Sequence, residues 1–222
     1  RSSHFTSSLK VVFLQKMLMV IDLHYLPTLP FLALAQKAGV CWLESQAHYQ
    51  KRSFRNRTFI ATANGLQRLS IPLQKGKNQQ MPIRDVQISY DQNWQKQHWG
   101  AIVAAYSKAP FFEYYAAELE TLFQRQKRWL FDWNYAILEW LVGVWSLEVT
   151  WELTPAYVKQ YPAEVLDLRG KLRPDNIAEF SREHQLETHY AQVFQEKHGF
   201  LPNLSGLDLL FCAGPEGVLL LK

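Results

Sequence analysis

The chain has 222 residues, of which 48 % are hydrophobic, enough to bury a substantial core in a single domain. Its longest apolar run, 9–21, is interrupted by Lys10, Gln15 and Lys16, and no small-residue cleavage site follows it, which argues against a membrane-spanning helix and a secretory signal. The net charge of +4 is unevenly spread: residues 45–84 hold eight Lys or Arg and no Asp or Glu, leaving sixteen bases against twenty acids elsewhere, so that +8 sits in this block and −4 in the rest.

Residue 1 is Arg, and Met17 and Met19 stand just before the first predicted strand, so 1–16 reads as an N-terminal extension or cloning remnant and 17–222 as a single domain. Met17 to Ile21 is a short apolar run with the character of a buried strand, ending at Asp22. Thr28 is placed to cap a helix with Pro30 in its first turn, and the apolar pattern runs through Lys37 to a stop at Gly39. Val40 to Leu43 reads as a second strand. This strand-helix-strand opening is the start of a parallel α/β unit, and it delivers Glu44 and the basic block to the carboxyl end of the second strand, where ligands of open α/β sheets cluster.

Thr58 to Thr62 and Leu66 to Pro72 flank Asn64-Gly65, the strongest short-range hairpin signal. Residues 74–81 read as a polar loop and Ile83 to Ser89 as a returning strand. Trp94 to Tyr106 has helical spacing after the candidate caps Asp91 and Asn93. A helix from Pro110 through Phe123 and another from Trp129 through Val144 follow, then a strand at Ser146 to Trp151 closed by Thr154-Pro155. Tyr161 to Glu183, with Pro162, Gly170 and Pro174 and no clear period, reads as a loop or lid with short helices. The tail from Phe200 turns into a buried helix that ends near Gly214. The predicted class is α/β, with a mixed, partly parallel sheet flanked by helices and a helix-rich middle section. Eight Trp, ten Tyr and thirteen Phe predict a ring-packed core and at least one aromatic-lined groove.

Chemistry is constrained first by what is missing. The sequence has no Gly-x-Gly-x-x-Gly, P-loop, Gly-x-Ser-x-Gly or His-Glu-x-x-His motif. Cys41 and Cys212 have no partner at ligand spacing, which argues against zinc and a disulfide framework and for reduced cytoplasmic thiols. The compact block Lys51, Arg52, Arg55 and Arg57 is the clearest positive signal, because guanidinium forks suit phosphate-like anions. A nucleic-acid module is disfavoured, since the excess charge is one block and not a stripe. Nothing in the sequence names a cofactor or an oligomeric state.

Tyr25-Leu26-Pro27, the run Tyr49 to Arg57, Asn64-Gly65 with Leu69-Ser70-Ile71-Pro72, Trp94 with His98-Trp99, Tyr106 to Phe112, and Asn203 to Phe211 together resemble the WbqC-like family. The likeness runs from Met17 to Gly217 with six motifs in order. It implies a transferase acting on a nucleotide-linked sugar or a similar phosphorylated substrate in surface-polysaccharide biosynthesis, or a non-catalytic anion-binding or assembly protein. Where many members carry His-Gln-Pro-Asn, this chain has Ile21-Asp22-Leu23-His24, so no histidine carries over to the end of the first strand. The Gly-rich segment that many members carry in their last third is also missing.

Residue by residue, Lys51, Arg52, Arg55 and Arg57 are expected to bind phosphate or remain a solvated basic face. Arg55 and Arg57, alternating on a strand, are expected to converge on one ligand. Tyr25 and Tyr49 could flank a sugar or base ring or be buried with satisfied hydroxyls. Glu44 is the expected general base, or else a salt-bridge partner of Arg52 or Arg55. His48 is a further acid-base candidate, and His98 either joins it at the ligand or is structural. Asp208 is the third catalytic candidate and Asn203 a binding one, with a capping role open to Asn203 and Ser205.

Overall fold

The computed structural model describes residues 17–76 and 78–221, so the expected extension at 1–16 lies outside the described residues. Strand β1, Met17–Asp22, is buried from Met19 onward, as a strand covered on both faces must be. Helix α1, Leu29–Ala38, follows. It stops where Gly39 adopts φ 74°, a left-handed turn that glycine makes without a Cβ clash, and gives its N–H to the Ala35 carbonyl. Strand β2, Gly39–Glu44, then lies parallel to β1 with Asp22 opposite Glu44. Thr28 stands at the expected cap position, but its hydroxyl is buried with no partner among the described residues, and the Leu204 carbonyl accepts the Leu29 N–H instead. The start of α1 is therefore stapled to the C-terminal tail.

The hairpin forms from β3, Arg57–Thr62, and β4, Gly65–Ser70, turning at Asn64-Gly65. The strand expected at Ile83 to Ser89 is not a ladder strand. Pro82 opens a short 3-10 turn at Ile83–Asp85, and the rest of the segment makes isolated bridges, Leu73 to Ile88 and Gln87 to Trp129. Helices α2 (Trp94–Tyr106), α3 (Phe112–Gln124) and α4 (Leu130–Trp145) fill the middle. Asn93 caps α2 by accepting the Lys96 N–H at 3.2 Å.

Strand β5 is Thr150–Leu153, displaced from the expected 146–151, because Ser146 takes φ 49° and Leu147 bonds back to Val142, so both residues close α4. Within the segment expected to be loop or lid, β6, Leu166–Asp167, pairs with β1, and α5, Ile177–Glu183, follows. The main sheet is wholly parallel in the order β5-β2-β1-β6, and the antiparallel hairpin stands apart from it. At two residues, β6 is too short to show a period in the sequence.

A short helix α6, Gln195–His198, precedes α7, Gly206–Ala213, which is almost entirely buried and is capped by Ser205. The aromatic residues link these layers through edge-to-face and tilted contacts. Trp94 meets Trp133 at 5.2 Å, and Phe211 of α7 receives Tyr106 and Phe112 at 5.2 and 5.1 Å. Among the described residues no helix is long and apolar enough to cross a membrane.

Candidate functional site

Parallel strands place their last residues side by side, and β1 and β2 end in carboxylates, Asp22 opposite Glu44. Both side chains are buried, at 7 % and 0 % exposure, and each has its own arginine: Arg55 Nη2 lies 2.5 Å from Asp22 Oδ1, and Arg169 Nη1 lies 3.0 Å from Glu44 Oε2. Asp22 Oδ2 also accepts the Gly170 N–H at 2.6 Å, which fixes the chain just after β6 over the end of β1. Glu44 Oε1 accepts three further hydrogen bonds, from the N–H groups of Gln46 and Ala47 and from the Thr154 hydroxyl. Glu44 is thus an ion-pair anchor. Its partner is Arg169, not Arg52 or Arg55, and with four hydrogen bonds at 0 % exposure the carboxylate is committed to holding the sheet edge together.

Arg169 is the centre of the edge. It donates from Nε and Nη2 to Asp167, and from Nη1 to the Val158 carbonyl as well as to Glu44. Tyr161 and Tyr157 lie over its guanidinium at 4.7 and 5.3 Å. The Asp167 hydrogen bond first, and Glu44 against the opposing effect of burial, hold this guanidinium above its ordinary value.

The basic block divides in two. Arg55 is 3 % exposed and committed to Asp22, and it precedes β3, so it does not alternate with Arg57 along a strand; the expected convergence of that pair on one ligand is corrected on this geometry. Lys51 and Arg52 are exposed and Arg57 is half-buried, and none of the three is in an ion pair among the described residues. Arg57 lies on the same hairpin face as Phe59 and Arg68, which are register partners. Its Nε is buried and has no hydrogen-bond partner among the described residues. Burial first, and then the like charges of Arg68 and Arg52, hold the Arg57 guanidinium below its ordinary value, with Tyr49 acting the other way.

The remaining predicted residues are more dispersed. Tyr25 is fully buried and its hydroxyl meets His98 Nδ1 at 2.8 Å, while Tyr49 is 4 % exposed and donates to Asn56 Oδ1 at 3.0 Å, so neither presents a ring face to solvent. His48 is exposed beside the basic loop, in an isolated bridge with Pro82. Asp208 is fully buried in α7 and accepts from the Tyr106 and Tyr190 hydroxyls and from Gln192. Burial raises its pKa, with those three donors opposing. Asn203 takes φ 61° and accepts the Ser181 hydroxyl, which leaves the capping of α7 to Ser205. Asp22, Asp167, Arg169 and Thr154 escape a window-by-window reading, although an acid at a strand end was a visible signal for Asp22. Among the described residues no group of three or more His, Cys, Asp or Glu is placed to hold a metal ion.

His24, just beyond β1, is packed between Phe31 and Phe54, and its Nδ1 has no partner among the described residues. Burial, and secondarily Arg55, lowers its pKa to about 3, and burial lowers that of His98 to about 4. Both are therefore neutral in the fold, and their contribution is complete above the ordinary 6.5 and is lost as pH falls toward 4 and then 3. Stability is expected to fall by about 1.4 kcal/mol per histidine for each pH unit below that point. Urea midpoints at pH 7 and pH 4.5 check this: His24→Leu should shed roughly half of the acid loss, and an unchanged loss would contradict it.

Fold and site define a parallel α/β protein in which carboxylates and guanidinium groups meet at the carboxyl edge of the sheet. The profile of the WbqC-like protein family matches residues 23–177, well over half of the chain, and the chain belongs to that family. Over 98 residues it is 33 % identical to the uncharacterized protein Rv1507c of Mycobacterium tuberculosis (strain ATCC 25618 / H37Rv), a match that covers 44 % of this chain and 42 % of that relative. The match thus spans less than half of the relative's length. No solved structure matches the chain.

Proposed function

We propose that this protein is a transferase acting on a nucleotide-linked sugar or a similar phosphorylated substrate in surface-polysaccharide biosynthesis, with the phosphate held on the open face of the hairpin. The observation that carries the reading is the contrast between two sets of arginines. Arg55 and Arg169 are matched by carboxylates, whereas Arg57 shares a face with Arg68, feels Arg52, and is in no ion pair among the described residues. Crowded guanidinium groups repel one another unless an anion joins them, and a phosphate supplies the geometry and the charge. Lys51, on the same loop, adds a longer-range attraction. Of the three expected acid-base groups, Glu44 and Asp208 are buried and already accept from four and three donors, and His48 is exposed and makes no side-chain hydrogen bond among the described residues. His48 is therefore assigned the proton-handling role, with Glu44 and Asp208 as positioning groups.

Calorimetric titration with inorganic pyrophosphate and with a panel of UDP- and dTDP-sugars tests the reading. Arg57→Ala with Arg68→Ala is expected to weaken the best ligand by about tenfold or more per guanidinium removed. Unchanged affinity would defeat it. The second reading, an anion-binding or assembly protein without turnover, is separated by His48→Ala: a transferase loses turnover and keeps its ligand affinity, while a binding protein shows no turnover in either form.

A further inference from the structure

The outer surface of the α3–α4 pair holds a groove of about 440 Å³, separate from the sheet edge. Tyr114, Tyr115 and Glu118 line it from α3, and Glu139, Trp140 and Gly143 from α4. It contains three aromatic side chains and two carboxylates, and no basic side chain. Glu118 Oε2 accepts the Trp140 indole N–H at 3.0 Å, which fixes the indole across the groove, and neither glutamate is in an ion pair among the described residues. Tyr114 is 76 % exposed, a large ring left in water at the rim. Gly143 opens the α4 side, since a Cβ built there would meet no atom within 4 Å.

We propose that this groove binds a small organic cation, an alkylammonium or guanidinium ion. Aromatic faces attract a cation through their quadrupoles and exclude water from its alkyl groups, and a nearby carboxylate supplies the compensating charge. The local field has that sign: after burial, Glu118 pushes the Tyr115 hydroxyl up, and Glu139 does the same for the neighbouring Tyr135. A second cleft of about 330 Å³, between α2 and α3, also has a Trp and a Phe, but it is lined by both an ammonium, Lys96, and a carboxylate, Glu120, and has no such preference. The α3–α4 groove is distinguished by carrying negative charge alone.

The test is an NMR titration that follows the Trp140 indole N–H, assigned with Trp140→Phe. Choline and N-acetyl-arginine amide are the two cationic probes, and 3,3-dimethylbutan-1-ol is the neutral isostere of choline. A saturable shift with at least one cation and none with the alcohol is expected. The stronger of the two cations tells whether a free alkylammonium or a guanidinium is preferred. Glu118→Gln with Glu139→Gln should weaken binding about tenfold while keeping an acceptor for the indole. Gly143→Met fills the groove from a position with free space, so it should abolish binding without lowering thermal stability. The proposal is overturned if the alcohol shifts the resonance as the cations do, if the double glutamine variant binds as tightly as the parent, or if neither cation moves the signal. None of these outcomes depends on the anion site at the hairpin.

Discussion

Asp22→Ala is expected to cost about 3–5 kcal/mol, the range for removing one partner of a buried ion pair. The Arg55 guanidinium is 3 % exposed, and its other side-chain contact, to Gln50 Oε1, is a long 3.4 Å. Without Asp22 it would be a buried cation with one weak acceptor. The same substitution strands the Gly170 N–H, which bonds Asp22 Oδ2 at 2.6 Å. Asp22→Asn separates the two effects, since the amide oxygen can still accept from Gly170 while the charge is lost, and it should fall between parent and alanine. At roughly 2–4 °C per kcal/mol for a chain of this size, the alanine variant should melt roughly 10 °C lower. A loss under about 1 kcal/mol in urea denaturation would show that the pair is not closed in solution. The pair also matters to the proposed site, because Arg55 anchors the loop that presents Arg52 and Arg57.

How far the sequence discloses this arrangement can be followed through particular residues. The β1-α1-β2 unit is legible because its signals are local: an apolar run, Pro30 early in the helix, Gly39 at its end. The hairpin is legible for the same reason, through Asn64-Gly65. The uneven charge locates the loop at the sheet edge, since β2 ends at Glu44 and the bases follow at once. The pairing of those charges is not legible. Arg169 reaches Glu44 across 125 positions, and Arg55 reaches Asp22 across 33. Nothing in a window around Glu44 says that its partner arrives with a two-residue strand on the far edge of the sheet. The hydrogen bonding of Asp208 depends likewise on Tyr106, which comes from α2 102 positions earlier, and on Tyr190 and Gln192, which lie in a stretch with no periodicity. Composition indicates that arginines will need anions, and only the fold decides which arginines already have them.

Arg169→Met is expected to cost about 2–4 kcal/mol, somewhat less than the loss of Asp22 because the Arg169 side chain is 11 % exposed. Glu44, at 0 % exposure, would keep two backbone N–H groups and the Thr154 hydroxyl but lose the cation paired with it. Asp167, 31 % exposed, can turn to water and contributes little to the loss. If the buried charge of Glu44 dominates, Glu44→Gln in the Arg169→Met background should recover part of the stability, with a coupling energy above about 1 kcal/mol in the double-mutant cycle. The substitution should also free the segment that runs over the sheet edge, because Arg169 holds the Val158 carbonyl and stacks against Tyr157 and Tyr161. Lys159 lies exposed between those two rings in sequence, so trypsin cleavage after it should accelerate in Arg169→Met before global unfolding begins. Asp22→Ala, which leaves Arg169 in place, should not show that early cleavage. Cleavage after Lys159 at the parental rate in Arg169→Met would mean that contacts other than this arginine hold the segment down.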